Sequence, residues 1–99
     1  MAYAKKVDAN QPEIVATFRA LGAKVAITSS AGDGFTDLVI QFHYPYGLRT
    51  HLVEVKDGSK PPSERKLTPK QVIFHSIFEC HIVETVKDVF ELLEIPYYH

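Results

Sequence analysis

Ninety-nine residues, 45% hydrophobic and 23% charged, suffice for one domain with one core, residues 1–99, and exclude disordered and collagen-like classes. No apolar run reaches the roughly 18–20 residues that cross a bilayer, and the start Met-Ala-Tyr-Ala-Lys-Lys-Val-Asp has no apolar stretch, so neither a membrane helix nor a secretory signal is expected. Net charge is −1, yet residues 1–70 hold ten Lys/Arg against seven Asp/Glu, while residues 71–99 hold one against five.

Asn10-Gln11-Pro12-Glu13 predicts a helix start, with Asn10 as cap, Pro12 in the first turn and Glu13 placed as a capping-box partner. Ile14, Phe18 and Leu21 recur at helical spacing, and Gly22 follows as a stop. A first strand is expected over 24–28, with Val25 and Ile27 alternating. The small, polar run Ser29-Ser30-Ala31-Gly32-Asp33-Gly34 reads as a loop. Strands over 35–42 and 49–56 flank the turn Tyr44-Pro45-Tyr46-Gly47, a connection short enough for an antiparallel hairpin. Residues 57–67 are hydrophilic, with Gly58, Pro61 and Pro62, and read as a loop. Thr68-Pro69-Lys70-Gln71 caps a second helix that runs to about Cys80 through Val72, Ile73, Phe74, Ile77 and Phe78. A fourth strand fits 81–84, and Thr85 caps a last helix that Pro96 ends. The order α-β-β-β-α-β-α is that of an α/β domain.

Two of the most hydrophobic strands carry charge. Alternation sets Asp37 with Val39 and Gln41 on one face of its strand, and Leu52, Glu54 and Lys56 on one face of the next. Glu54 and Lys56 then point the same way, roughly 6–7 Å apart. If Asp37 and Glu54 converge, their repulsion is relieved by a proton or a cation. Hard oxygen ligands favour Mg²⁺ or Mn²⁺, and a neighbouring lysine can orient or deprotonate a water or neutralise developing negative charge. The densest basic run, Lys60, Arg65, Lys66 and Lys70, follows directly and could hold phosphates.

Asp37 in "GFTDLVI", Glu54-Val55-Lys56 in "HLVEVKDG" and Gln71 in "LTPKQ" resemble, in order and spacing, the PD-(D/E)xK nuclease superfamily, and most closely its VRR-NUC branch of small stand-alone domains. The similarity spans residues 10–85. It implies a restriction endonuclease-like core, with a mixed four-stranded sheet flanked by helices. It also implies an endonuclease that hydrolyses DNA with Mg²⁺ or Mn²⁺, acting as a homodimer on branched DNA such as Holliday junctions. Asp37, Glu54 and the Val55 carbonyl would ligate the metal, and Lys56 would position the attacking water. Gln71 would contact the metal-bound water or the scissile phosphate, and Glu13 would supply a helix-one acid. Thr36 stands where the family usually has proline. The other reading is a catalytically inactive nucleic-acid-binding or assembly module of the same fold.

Other chemistries find little in the residues. The five His and one Cys lack zinc-ligand spacing, neither a P-loop nor a G-x-G-x-x-G run is present, and Ser29 and Ser30 have no nucleophile context. Tyr44, Tyr46, Tyr97 and Tyr98 could stack on bases but read as turn and packing residues. His75 shares a helix face with Gln71 and reads as a half-buried structural residue. The single Cys80 excludes an internal disulfide and fits a reducing cytoplasm, and the resemblance to small VRR-NUC domains implies that of a bacterium or a phage-infected host cell.

Overall fold

The computed structural model describes residues 7–98; most of the N-terminal segment considered above for a signal lies outside them. The elements are α1 (Gln11–Ala20), β1 (Lys24–Ile27), β2 (Leu38–Tyr44), β3 (Gly47–Val55), a 3₁₀ turn (Pro62–Glu64), α2 (Pro69–Ile77), β4 (Cys80–Val83) and α3 (Val86–Leu92). They form a small α/β domain with one mixed four-stranded sheet in the order β1-β2-β3-β4. The first three strands run antiparallel, and β4 lies parallel to β3 after the crossover through α2. Among the described residues no helix is long and apolar enough to cross a membrane.

One sheet face carries the core. Leu38 and Ile40 of β2, Val53 and Val55 of β3 and Val83 of β4 pack with Ile14, Val15 and Phe18 of α1, and with Val89 and Leu93 from α3 and its end. Strand alternation sends Glu54 to the opposite face, where α2 meets it through Gln71 and His75.

Several local expectations change. The Asn10–Glu13 capping box is absent: Asn10 adopts a helical backbone, and its side chain makes no cap hydrogen bond. Its Nδ2 instead donates to the carbonyls of Lys56 and Glu84, so tertiary pairing takes the group away from its own helix. The second helix stops at Ile77, because Phe78 is already extended and leads into β4. The hairpin strands reach further into the turn than expected, pairing Tyr44 with Gly47. Ile27, at the end of the edge strand β1, is exposed, whereas Val25 on the same face packs against the core.

Loop 28–36 is clamped onto α2. A Cβ on Gly34, whose φ is +80°, would sit 2.3 Å from the Lys70 carbonyl oxygen, so only glycine admits this approach. Phe35 packs edge-on against Phe74 at a centroid distance of 5.2 Å. The loop that delivers Asp37 is thereby fixed to the helix that carries Gln71.

Candidate metal and phosphate site

Four polar side chains are buried where β2 begins and β3 ends. Asp37 is 3% exposed, Glu54 1%, Lys56 9% and Gln71 4%. Burying ionisable groups costs several kcal/mol per ion, and apolar replacements are often neutral or stabilising. Fold stability alone therefore gives a weak reason for this set, and buried ionisable groups in a cleft point to a functional site.

Asp37 sits one residue before β2. The register that pairs Leu38 with Val53 brings Asp37 level with Glu54. Its Oδ2 accepts from the Val55 N–H at 2.8 Å, and its carbonyl accepts from the Thr28 N–H at 2.7 Å and the Ser29 hydroxyl at 3.3 Å. Thr36 is fully buried, and its hydroxyl spans Asp37 to reach the Leu38 carbonyl at 3.2 Å. A side-chain hydrogen bond thus supports the start of the strand where proline would restrict φ. In extended backbone the N–H and C=O of one residue face the same neighbour, so the Val55 carbonyl shares the Asp37 side.

Lys56 Nζ donates to Gln71 Oε1 at 3.0 Å, and Gln71 Nε2 donates to Glu54 Oε2 at 3.1 Å. Gln71 Oε1 also accepts from the Thr68 N–H at 2.9 Å, completing the α2 capping box. One side chain thus both caps α2 and contacts Lys56 and Glu54. His75 Nε2 lies 3.5 Å from Glu54 Oε1. On the neighbouring strand, burial first and then the Glu54 and Glu79 charges push the Cys80 thiol up, away from thiolate chemistry.

These residues line a cleft of about 440 Å³ that brings together Asp37, Glu54, Lys56, Gln71, Lys60 and Lys66, and adds Asp8, Glu64 and Thr68. Glu13 does not line it. That residue is exposed and lines a separate pocket with Asn10, Asp57 and Glu84, so α1 contributes no acid to this cleft. The acid near the helix start that does line it is Asp8, whose Oδ1 stands 4.0 Å from Lys60 Nζ. No periodic or motif signal marks Asp8; its place depends on how the chain before α1 passes the 57–67 loop.

The basic residues divide. Lys60 and Lys66 border the cleft, whereas Lys70 pairs with Asp33 at 3.5 Å near the tip of the 28–36 loop, both side chains largely exposed. Arg65 is a strut: Nε donates to the Lys60 carbonyl at 2.8 Å and an Nη to Glu84 Oε2 at 2.7 Å. With Asp57 accepting from the Ser59 N–H and hydroxyl, these bonds hold the loop in one shape.

Among the described residues no three His, Cys, Asp or Glu side chains gather as a cage for a metal ion. Magnesium rarely needs one, since one or two carboxylates hold it while waters and substrate phosphates complete the shell. Adjacent Asp37 and Glu54, with a backbone carbonyl beside them, fit that donor set. No family model matches the chain, and neither does any curated protein or solved structure.

Proposed function

We propose that the chain is a metal-dependent DNA endonuclease on a restriction endonuclease-like fold, similar to the VRR-NUC branch of the PD-(D/E)xK nucleases. The observation that carries this reading is the side-by-side burial of Asp37 and Glu54 on a cleft shared with Lys56. A magnesium or manganese ion bound by these acids and the Val55 carbonyl would supply positive charge to the scissile phosphate. Lys56, its ammonium held by Gln71, orients a water and neutralises the charge that builds on the phosphate. Hydrolysis joins the water oxygen to phosphorus and breaks the P–O3′ bond. A 5′-phosphate remains, and a proton ends on the 3′ oxygen. Lys60 and Lys66 guide the flanking phosphates along the rim.

One cleft cuts one strand, so the reading includes a homodimer acting on branched DNA in the cytoplasm. The outward side of α2 and the residue that follows it support it: Val72, Ile73 and Ile77, with Phe78 just beyond, are exposed, an apolar surface that a second copy would cover. The test is a gel assay on a four-way junction, a flap, a nicked circle and plain duplex at matched salt, with manganese or chelator, beside sedimentation. Metal-dependent cutting that favours the junction, by a dimer, is expected. Binding without cutting of any substrate overturns the endonuclease in favour of the inactive binding module.

A further inference from the structure

We propose that His75 is a positioning residue for Glu54, a role that rests on the cation site proposed above. Gln71 and His75 are one helical turn apart on α2, about 6 Å along its axis, and so project side by side. They reach opposite oxygens of a single carboxylate, with Gln71 Nε2 3.1 Å from Oε2 and His75 Nε2 3.5 Å from Oε1. The orientation of the Gln71 amide is settled by its neighbours: Oε1 faces two donors, Lys56 Nζ and the Thr68 N–H, which leaves Nε2 toward Glu54.

The terminal torsion of a glutamate is soft, so its carboxylate plane is ordinarily loose. From one rigid helix, a hydrogen bond on one oxygen and the His75 ring nitrogen at 3.5 Å from the other narrow that freedom. The helix is itself fixed against the loop carrying Asp37, through Gly34 on the Lys70 carbonyl and Phe35 on Phe74. His75 therefore helps set how Glu54 stands relative to Asp37. An apolar side chain of similar volume would fill the same mostly buried space without placing a polar nitrogen beside the oxygen.

Partners that orient a metal ligand typically contribute tenfold to a hundredfold in metal affinity. The experiment is manganese binding to the whole chain without DNA, read by electron paramagnetic resonance, for wild type, His75→Leu, His75→Gln and Asp37→Asn. His75→Leu should bind about tenfold more weakly or worse. His75→Gln, which keeps an N–H at the same reach, should recover most of that loss, with similar melting temperatures for the two. In metal-free protein, long-range ¹⁵N spectra should find a proton on His75 Nε2. If His75→Leu matches wild type while Asp37→Asn loses manganese, the positioning role is overturned and the cation site stands. If wild type binds no manganese, or Asp37→Asn binds it equally, the site and the role fall together. An unprotonated Nε2 overturns the role by itself, and it decides the matter along with His75→Gln should His75→Leu fail to fold.

Discussion

Gln71 Nε2 donates to Glu54 Oε2 at 3.1 Å, from a side chain whose Oε1 also accepts from Thr68 N–H and Lys56 Nζ. One amide therefore caps α2 and orders the charged pair beneath it. Gln71→Ala removes part of the cap and leaves two buried charged groups short of a partner, a loss of about 2–3 kcal/mol. Thr68→Ala removes only its side of the capping box, about 1 kcal/mol. Urea unfolding should separate the two by that margin. DNA cleavage should fall sharply in Gln71→Ala and little in Thr68→Ala.

Salt dependence separates the cations. Lys60 and Lys66 border the cleft, so replacing either with alanine should lower the slope of log affinity against log salt by about 1. Arg65→Ala should leave the slope nearly intact, because its guanidinium is spent on Glu84 and the Lys60 carbonyl. Its expected effect is a small loss of stability, up to about 1 kcal/mol, as for other partly exposed ion pairs.

The two candidate acids near the first helix should differ in kinetics. Asp8→Ala, within the cleft, should lower kcat/KM about tenfold, the change that ~1.4 kcal/mol of lost transition-state stabilisation produces. Glu13→Ala, outside it, should stay close to wild type. Equal losses, or a larger loss from Glu13→Ala, would contradict this assignment.

Away from the cleft, Tyr44 donates its hydroxyl proton to the Leu92 carbonyl at 2.8 Å, so His51 Nε2–H must be the donor in its 2.9 Å contact with Tyr44. Burial first, then the adjacent His81, holds His51 below its ordinary value of 6.5. The unfolded chain therefore takes up this proton at higher pH than the folded one. The resulting stability is complete above the ordinary value and is lost as pH falls through the lowered one. Melting temperature should drop between pH 8 and pH 5. His51→Gln, which keeps the donor to Tyr44, should flatten part of that drop.

Periodicity and turn residues made the elements legible in sequence, because each is set by local chemistry: Thr68 and Thr85 cap their helices as expected, and the hairpin lies where the Tyr-Pro-Tyr-Gly turn placed it. Alternation also put Glu54 and Lys56 on one face, and both line the same cleft. Tertiary contacts set what was missed. Asn10 leaves its cap for two distant carbonyls, Asp8 reaches the cleft without a pattern, and Arg65 turns inward to Glu84. Apolar spacing in α2 gave no sign that Val72, Ile73 and Ile77 would face outward while Gln71 turned in, since the period fixes a stripe and not what covers it.

In the proposed reading, Asp37 and Glu54 together form a cation site that cuts DNA. Its most direct measurement is single-turnover nicking of supercoiled plasmid with manganese by wild type, Asp37→Asn and Glu54→Gln. Both replacements keep an oxygen to accept from the Val55 N–H or from Gln71, so circular dichroism should report an unchanged fold. Cleavage by wild type, lost with chelator and lost in both variants, is the predicted result. Cleavage by either variant at the wild-type rate would contradict this cation site.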